Sequence, residues 1–137
     1  MKNIEDFFIK NPELKKSIIF TGNIENKDEL YEIYSESKIF LLPSRTESFG
    51  IVFPEALYYG NYLIVTNVGI ADYLIDISDF GQTVEIDNIN DISKKIITTI
   101  ENYDKIQKEH DIDFKKLITK EFSFKSYINK IDSRIKK

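Results

Sequence analysis

Two glutamates eight positions apart, Glu47 and Glu55, stand on either side of a glycine, Gly50. An ionised carboxylate accepts hydrogen bonds from hydroxyls and repels phosphate. A glycine lets backbone approach a ligand closely. If a helix starts beside it, the free N–H groups of its first turn form an anion site. The stretch then offers a hydroxyl acceptor, a nest of amides and a second hydroxyl acceptor. A nucleoside diphosphate sugar presents sugar hydroxyls, a diphosphate and ribose hydroxyls in that order. Glutamates also sit near helix starts simply to complement the helix dipole. Spacing alone leaves both readings open.

The flanking sequence predicts how such a stretch is held. Residues 39–42 (IFLL) form a short apolar run stopped by Pro43, a buried strand. A loop follows over residues 44–49. Residues 51–59 predict a helix ending at Gly60, starting near Gly50 because Pro54 fits only a first turn. Further buried strands are expected at residues 17–21, 62–66 and 83–86. Between them come a helix begun by Asn26 with Leu30, Ile33 and Tyr34 as its stripe, and a short one at residues 72–75. The N-terminal residues 4–8 read as helical. Beyond residue 90 helices are expected, with Ile92, Ile96, Ile97, Ile100 and Tyr103 on one face and Phe114, Leu117 and Ile118 on another. A last helix is capped by Ser123, with Phe124, Tyr127, Ile128, Ile131 and Ile135 on its buried side. Apolar strands alternating with helices imply an α/β fold: a Rossmann-like parallel sheet covered on both faces, with extra C-terminal helices. In such sheets ligands bind beyond the carboxyl ends of the strands, where the loop before Gly50 lies.

Composition narrows the chemistry. The 137 residues fit a single domain and carry 42% apolar and 31% charged residues, with ten Phe and eight Tyr for a core. Cysteine is absent, which excludes disulfides, thiolate metal sites and cysteine nucleophiles. One histidine, His110, builds no multi-histidine site and reads as a surface side chain among charges. Residues 1–100 carry nine Lys/Arg against sixteen Asp/Glu, an acidic body that argues against nucleic acid. Residues 101–137 carry ten against seven. That basic end reads first as a solvated helical face, and peripheral contact with an anionic membrane is the alternative. No apolar stretch reaches the roughly 20 residues of a membrane span, and no signal-peptide run opens the chain. The expected location is cytoplasmic, with peripheral attachment at the inner membrane face as an option.

Residues 43–60, PSRTESFGIVFPEALYYG, resemble the donor-site signature of glycosyltransferase family 4, which comprises retaining enzymes of the GT-B fold. The family pattern places a Glu and, after seven residues, a second Glu within P-S-x-x-E-x-F-G and E-A-x-x-x-G. The flanks at Phe20-Thr21-Gly22, Ile64-Val65-Thr66, Val68-Gly69 and Glu121-Phe122-Ser123-Phe124 are similar too. The resemblance implies a nucleotide-sugar donor with Glu47 on the sugar hydroxyls. The amides of Phe49, Gly50 and Ile51 would approach the sugar and diphosphate, and Glu55 the ribose; Ser44 and Thr46 would add polar contacts. It implies sugar transfer to an acceptor with retention, in polysaccharide or glycolipid biosynthesis, with no metal or other cofactor. Ser48 departs from the commoner glycine, Asn61-Tyr62 from a proline before the next strand, and Asp72 from a glutamate. Residues 1–137 also lack counterparts of the acceptor-binding N-terminal domain and of the first strand of the donor domain, so the chain is expected to be one partial donor-binding domain. Isolated, it is expected to be inactive.

Other features carry less. Asp111-Ile112-Asp113 matches a D-x-D metal motif but precedes a helix, where Asp is a preferred cap. Arg45 is equally a phosphate ligand or an exposed loop residue. Tyr58 and Tyr59 need no ligand, and one of them is expected in the core. A non-catalytic nucleotide-sugar-binding module working with a separate partner chain is the rival to an enzyme. A sugar-nucleotide epimerase finds no support in residues 43–60.

Overall fold

Five consecutive residues, Tyr62–Thr66, form the central strand β2, and its last four are fully buried. Burial on successive residues means that both faces of the strand are covered, as the unbroken apolar run predicts. The computed structural model describes residues 2–123. Within them β1 (Ile39–Leu42), β2 and β3 (Gly81–Val84) form a parallel sheet in the order β1-β2-β3. Ile39 lies opposite Tyr62 and Leu42 opposite Val65, while Leu63 lies opposite Gly81. The α/β class and parallel sheet are as expected.

The described residues fall into two compact units, divided between Leu30 and Tyr31. In the larger unit α3 (Val52–Tyr58) connects β1 to β2, and α4 (Ala71–Ser78) connects β2 to β3. Phe53, Ala56 and Leu57 of α3 are wholly buried with Leu63, Ile64 and Val65 of β2 and with Ala71 and Leu74 of α4. Pro54 is the third residue of α3, in the first turn where its missing N–H costs nothing. The long α5 (Ile89–Glu109) packs on β2 and β3, and α6 (Phe114–Phe122) packs on α3. Asn88 caps α5 by accepting from the Asp91 amide, and Asp113 caps α6 by accepting from Lys116. The second of these fulfils the capping role expected of the acidic triplet.

In the smaller unit α1 (Lys2–Lys10) is followed by a 3-10 turn, Pro12–Lys16. Asn11 closes α1 through its amide and side chain, both donating to the Phe7 carbonyl. α2 (Lys27–Glu36) starts in this unit, where Asn26 accepts from the Asp28 amide.

Several expectations need correction. Residues 17–21 form no strand; Ile19 is 87% exposed and Phe20 52%. An apolar run becomes a strand only when neighbouring backbone completes its ladder. The strand expected at residues 83–86 begins at Gly81 and ends at Val84. On α2, Tyr34 is buried as expected but Ile33 is exposed, and Tyr31 joins Tyr34 in stacking on Tyr59 at the end of α3. On α5 Tyr103 is buried and Ile92 and Ile96 half-buried as expected, but Ile97 and Ile100 are exposed, and the stripe is completed by the buried Thr99, which accepts from Gln82 of β3. His110 is no surface residue. Its side chain is 15% exposed, its Nδ1 meets the Ile106 carbonyl at 2.7 Å, and its ring lies edge-on to Phe80. The expected last helix after Ser123, with the lysines that carry the basic end, lies outside the described residues.

Candidate functional site

The loop that leaves β1 is held at both ends. At its start, the buried Thr66 hydroxyl donates to the Ser44 carbonyl at 2.5 Å. At its end, the Ile70 amide donates to the Phe49 carbonyl at 3.1 Å. Between them Glu47 is exposed and its stem passes close to two glycines. A Cβ at Gly50 would lie 3.1 Å from Glu47 Cγ, and one at Gly69 would lie 3.5 Å away. Arg45 is fixed sideways, its Nε donating to both carboxylate oxygens of Asp87 at 3.0 Å. Asp87 follows β3, so the pair links two loops at the carboxyl edge of the sheet.

Helix α3 starts directly after this loop. Gly50 has φ +80, which side-chain-bearing residues rarely adopt. Its carbonyl accepts from Phe53, opening the first turn. Glu55 is half-buried and lines a groove of about 490 Å³ with Phe49, Ile51, Pro54 and Tyr31. Tyr58, Tyr59, Ile118 and Phe122 complete its described wall, and Phe122 meets Phe49 edge-on at 6.4 Å. Tyr59 is sandwiched between Tyr31 and Tyr34, at 5.6 and 5.9 Å between ring centres. Burial holds the Tyr34 hydroxyl above its usual range, and the Glu55 charge raises it further.

Phe49, Ile51 and Glu55 therefore share one groove. Ser44 and Glu47 sit to its side, against the β2–α4 turn. Gly50 separates the two groups and is buried. A mostly aromatic groove with one carboxylate on its wall suits a ligand with a flat apolar part and adjoining hydroxyls. Thr66, Gly69, Tyr31 and Phe122 were not singled out from sequence as site residues. Tyr31 had a legible signal, since it lies three positions before Tyr34 on one helix face. Phe122 had none, because α6 joins the groove only through its packing on α3.

The family model of the glycosyl transferases group 1 matches residues 3–116. A 41.2 kDa protein of the cps region of Klebsiella pneumoniae is 36% identical over 81 residues, covering 53% of this chain and 22% of that protein. A glycosyltransferase of Methanocaldococcus jannaschii is 32% identical over 102 residues, 74% of this chain and 28% of its own length. The N-acetyl-alpha-D-glucosaminyl L-malate synthase of Bacillus anthracis is 29% identical over 94 residues, 69% of this chain and 24% of its length. The matches thus span about a quarter of each of these relatives. The chain belongs to the glycosyl transferases group 1 family.

Proposed function

We propose that this chain is the donor-binding part of a retaining glycosyltransferase that moves a sugar from a nucleoside diphosphate to an acceptor. The observation that carries this is the half-buried Glu55 on the wall of an aromatic groove, directly after the β1 loop, in a chain of this family. Glu55 accepts the ribose hydroxyls, and Glu47 accepts hydroxyls of the donor sugar. Backbone amides of Phe49, Gly50 and Ile51 approach the sugar and diphosphate, and Ser44 adds a polar contact. The negative charge that develops on the departing diphosphate needs more donors than these amides supply. The remaining donors and the acceptor site come from a further domain outside these 137 residues, so this chain alone turns nothing over. A further strand of the donor domain would add to the outer edge of β1, where Leu41 is exposed beside Ile39.

The reading calls for no metal ion; Asp113 of the Asp111-Ile112-Asp113 run caps α6. Polysaccharide or glycolipid assembly is the process proposed, in the cytoplasm, with peripheral contact at the inner membrane face. No helix among the described residues is long and apolar enough to cross a membrane.

The test is thermal unfolding of the chain with UDP-glucose, GDP-mannose and ADP-glucose in turn. At least one is expected to raise the midpoint, because a ligand of the native state stabilises it. Glu55→Gln is expected to weaken that ligand roughly tenfold, the scale of one hydrogen bond to a charged group. No shift with any donor, or shifts indifferent to Glu55→Gln, would falsify the assignment.

A further inference from the structure

We infer that the turn between β2 and α4 positions the sugar-reading carboxylate, with Gly69 as the spacer behind Glu47 and Phe49 and Thr66 as the anchor of their loop. The inference rests on the proposed role of Glu47 and extends it to two residues that touch no donor.

Gly69 has φ +59, and the place of its missing side chain is taken by the loop backbone. A Cβ there would stand 2.5 Å from the Phe49 carbonyl oxygen and 2.9 Å from its carbon. Backbone cannot swing aside as a flexible side chain can, so any side chain at 69 displaces the loop. The same carbonyl accepts the Ile70 amide, which draws the loop onto the turn while Gly69 sets the depth of approach. Glu47 Cγ lies within reach of both Gly69 and Gly50. The stem that carries the carboxylate is therefore seated between two glycines. Thr66 fixes the other end: it is wholly buried, and its hydroxyl holds the Ser44 carbonyl three residues before Glu47. Both loop ends thus answer to one five-residue stretch, 66–70. A site held this way keeps its geometry before ligand arrives, and precise placement of a reading group depends on such supports.

The experiment measures dissociation constants by calorimetry on the full chain for three pairs: UDP and UDP-glucose, GDP and GDP-mannose, ADP and ADP-glucose. Within a pair, the ratio of the two constants isolates the sugar contact. Glu47→Gln is expected to move that ratio roughly tenfold against the sugar nucleotide. Gly69→Ala is expected to move it by a similar factor, and to add little when combined with Glu47→Gln. A purely structural role for Gly69 predicts a lower melting midpoint with the ratio unchanged, and that result overturns the inference. Thr66→Val, nearly isosteric, serves if Gly69→Ala does not fold; it must shift the ratio in the same direction, and a wild-type ratio refutes the positioning role. If Glu47→Gln itself leaves the ratio unmoved, the assignment of Glu47 to the sugar fails first and this inference falls with it.

Discussion

Asn61, wholly buried, donates from Nδ2 to the Tyr34 carbonyl at 2.8 Å and to the Ser37 carbonyl at 2.6 Å. Tyr34 lies in the last turn of α2 and Ser37 directly follows it, where a helix end leaves carbonyls short of intrahelical partners. One side chain from the α3–β2 connection therefore closes α2 and fixes where Tyr34 stacks on Tyr59. Asn61→Ala is expected to destabilise the chain by about 2–3 kcal/mol, since it strands the Ser37 carbonyl, leaves the Tyr34 carbonyl with the Ser37 amide alone and opens a cavity. Asn61→Asp is expected to cost more, because it loses both donors and buries a charge. Urea unfolding measures both. A loss under about 0.5 kcal/mol for alanine, the range of ordinary surface changes, would show that the cap is dispensable.

Gly50 is constrained twice. Its φ of +80 is strained for any residue with a side chain, and the buried Phe53 ring occupies the place a Cβ would take. Gly50→Ala is expected to cost about 1–3 kcal/mol from backbone strain and overpacking. It should also weaken donor binding, because Glu47 Cγ lies on the same side. The double variant with Phe53→Leu tests the cause. If the ring is what the new methyl meets, the combined loss falls short of the sum of the two single losses.

Much of this was legible in the sequence where one local rule decided the outcome. Pro54 placed the start of α3, the apolar run at residues 62–66 gave β2 its bounds, and Asp113 announced a helix cap. Legibility failed where a tertiary partner decides. Residues 17–21 have strand composition, but composition supplies no neighbouring backbone. Ile97 and Ile100 match the helical period, yet the polar Thr99, which accepts from Gln82 of β3, takes the buried place between Ile96 and Tyr103. His110 sits among charged residues in sequence and against Phe80 in space. At the site, the two glutamates and Gly50 were visible from spacing. The supports at Thr66 and Gly69 were not, because they come from the next strand and its turn.

Asp91 gives a pH dependence with a definite sign. Its carboxylate accepts the Glu85 amide at 2.8 Å and the Lys95 ammonium at 3.1 Å. The amide first, then Lys95, hold its pKa below the usual 3.8. A carboxyl with a depressed folded pKa stabilises the native state above the unfolded value, and that contribution disappears as pH falls through the folded one. Urea midpoints are therefore expected to drop as pH is lowered past 3.8, and to drop less in Asp91→Asn. A variant with the same acid slope as the wild type would remove Asp91 from the account.

Arg45 and Asp87 set two small effects against each other. Their ion pair is exposed, 77% and 61% at the side chains, and such pairs contribute about 0–1 kcal/mol. Asp87 also has φ +59, a left-handed conformation that costs a residue with a side chain roughly 1–2 kcal/mol and glycine nothing. Asp87→Gly loses the pair and relieves the strain, so stability is expected to stay level or rise slightly. Asp87→Ala loses the pair and keeps the strain, and is expected to be less stable than Asp87→Gly by about 1 kcal/mol. Raising salt should lower the wild type relative to both variants, because only the wild type has the exposed pair to be screened. If Asp87→Gly instead destabilises by well over 1 kcal/mol, the pair is more than a surface contact. Arg45 would then rank with Thr66 among the anchors of the loop that carries Glu47.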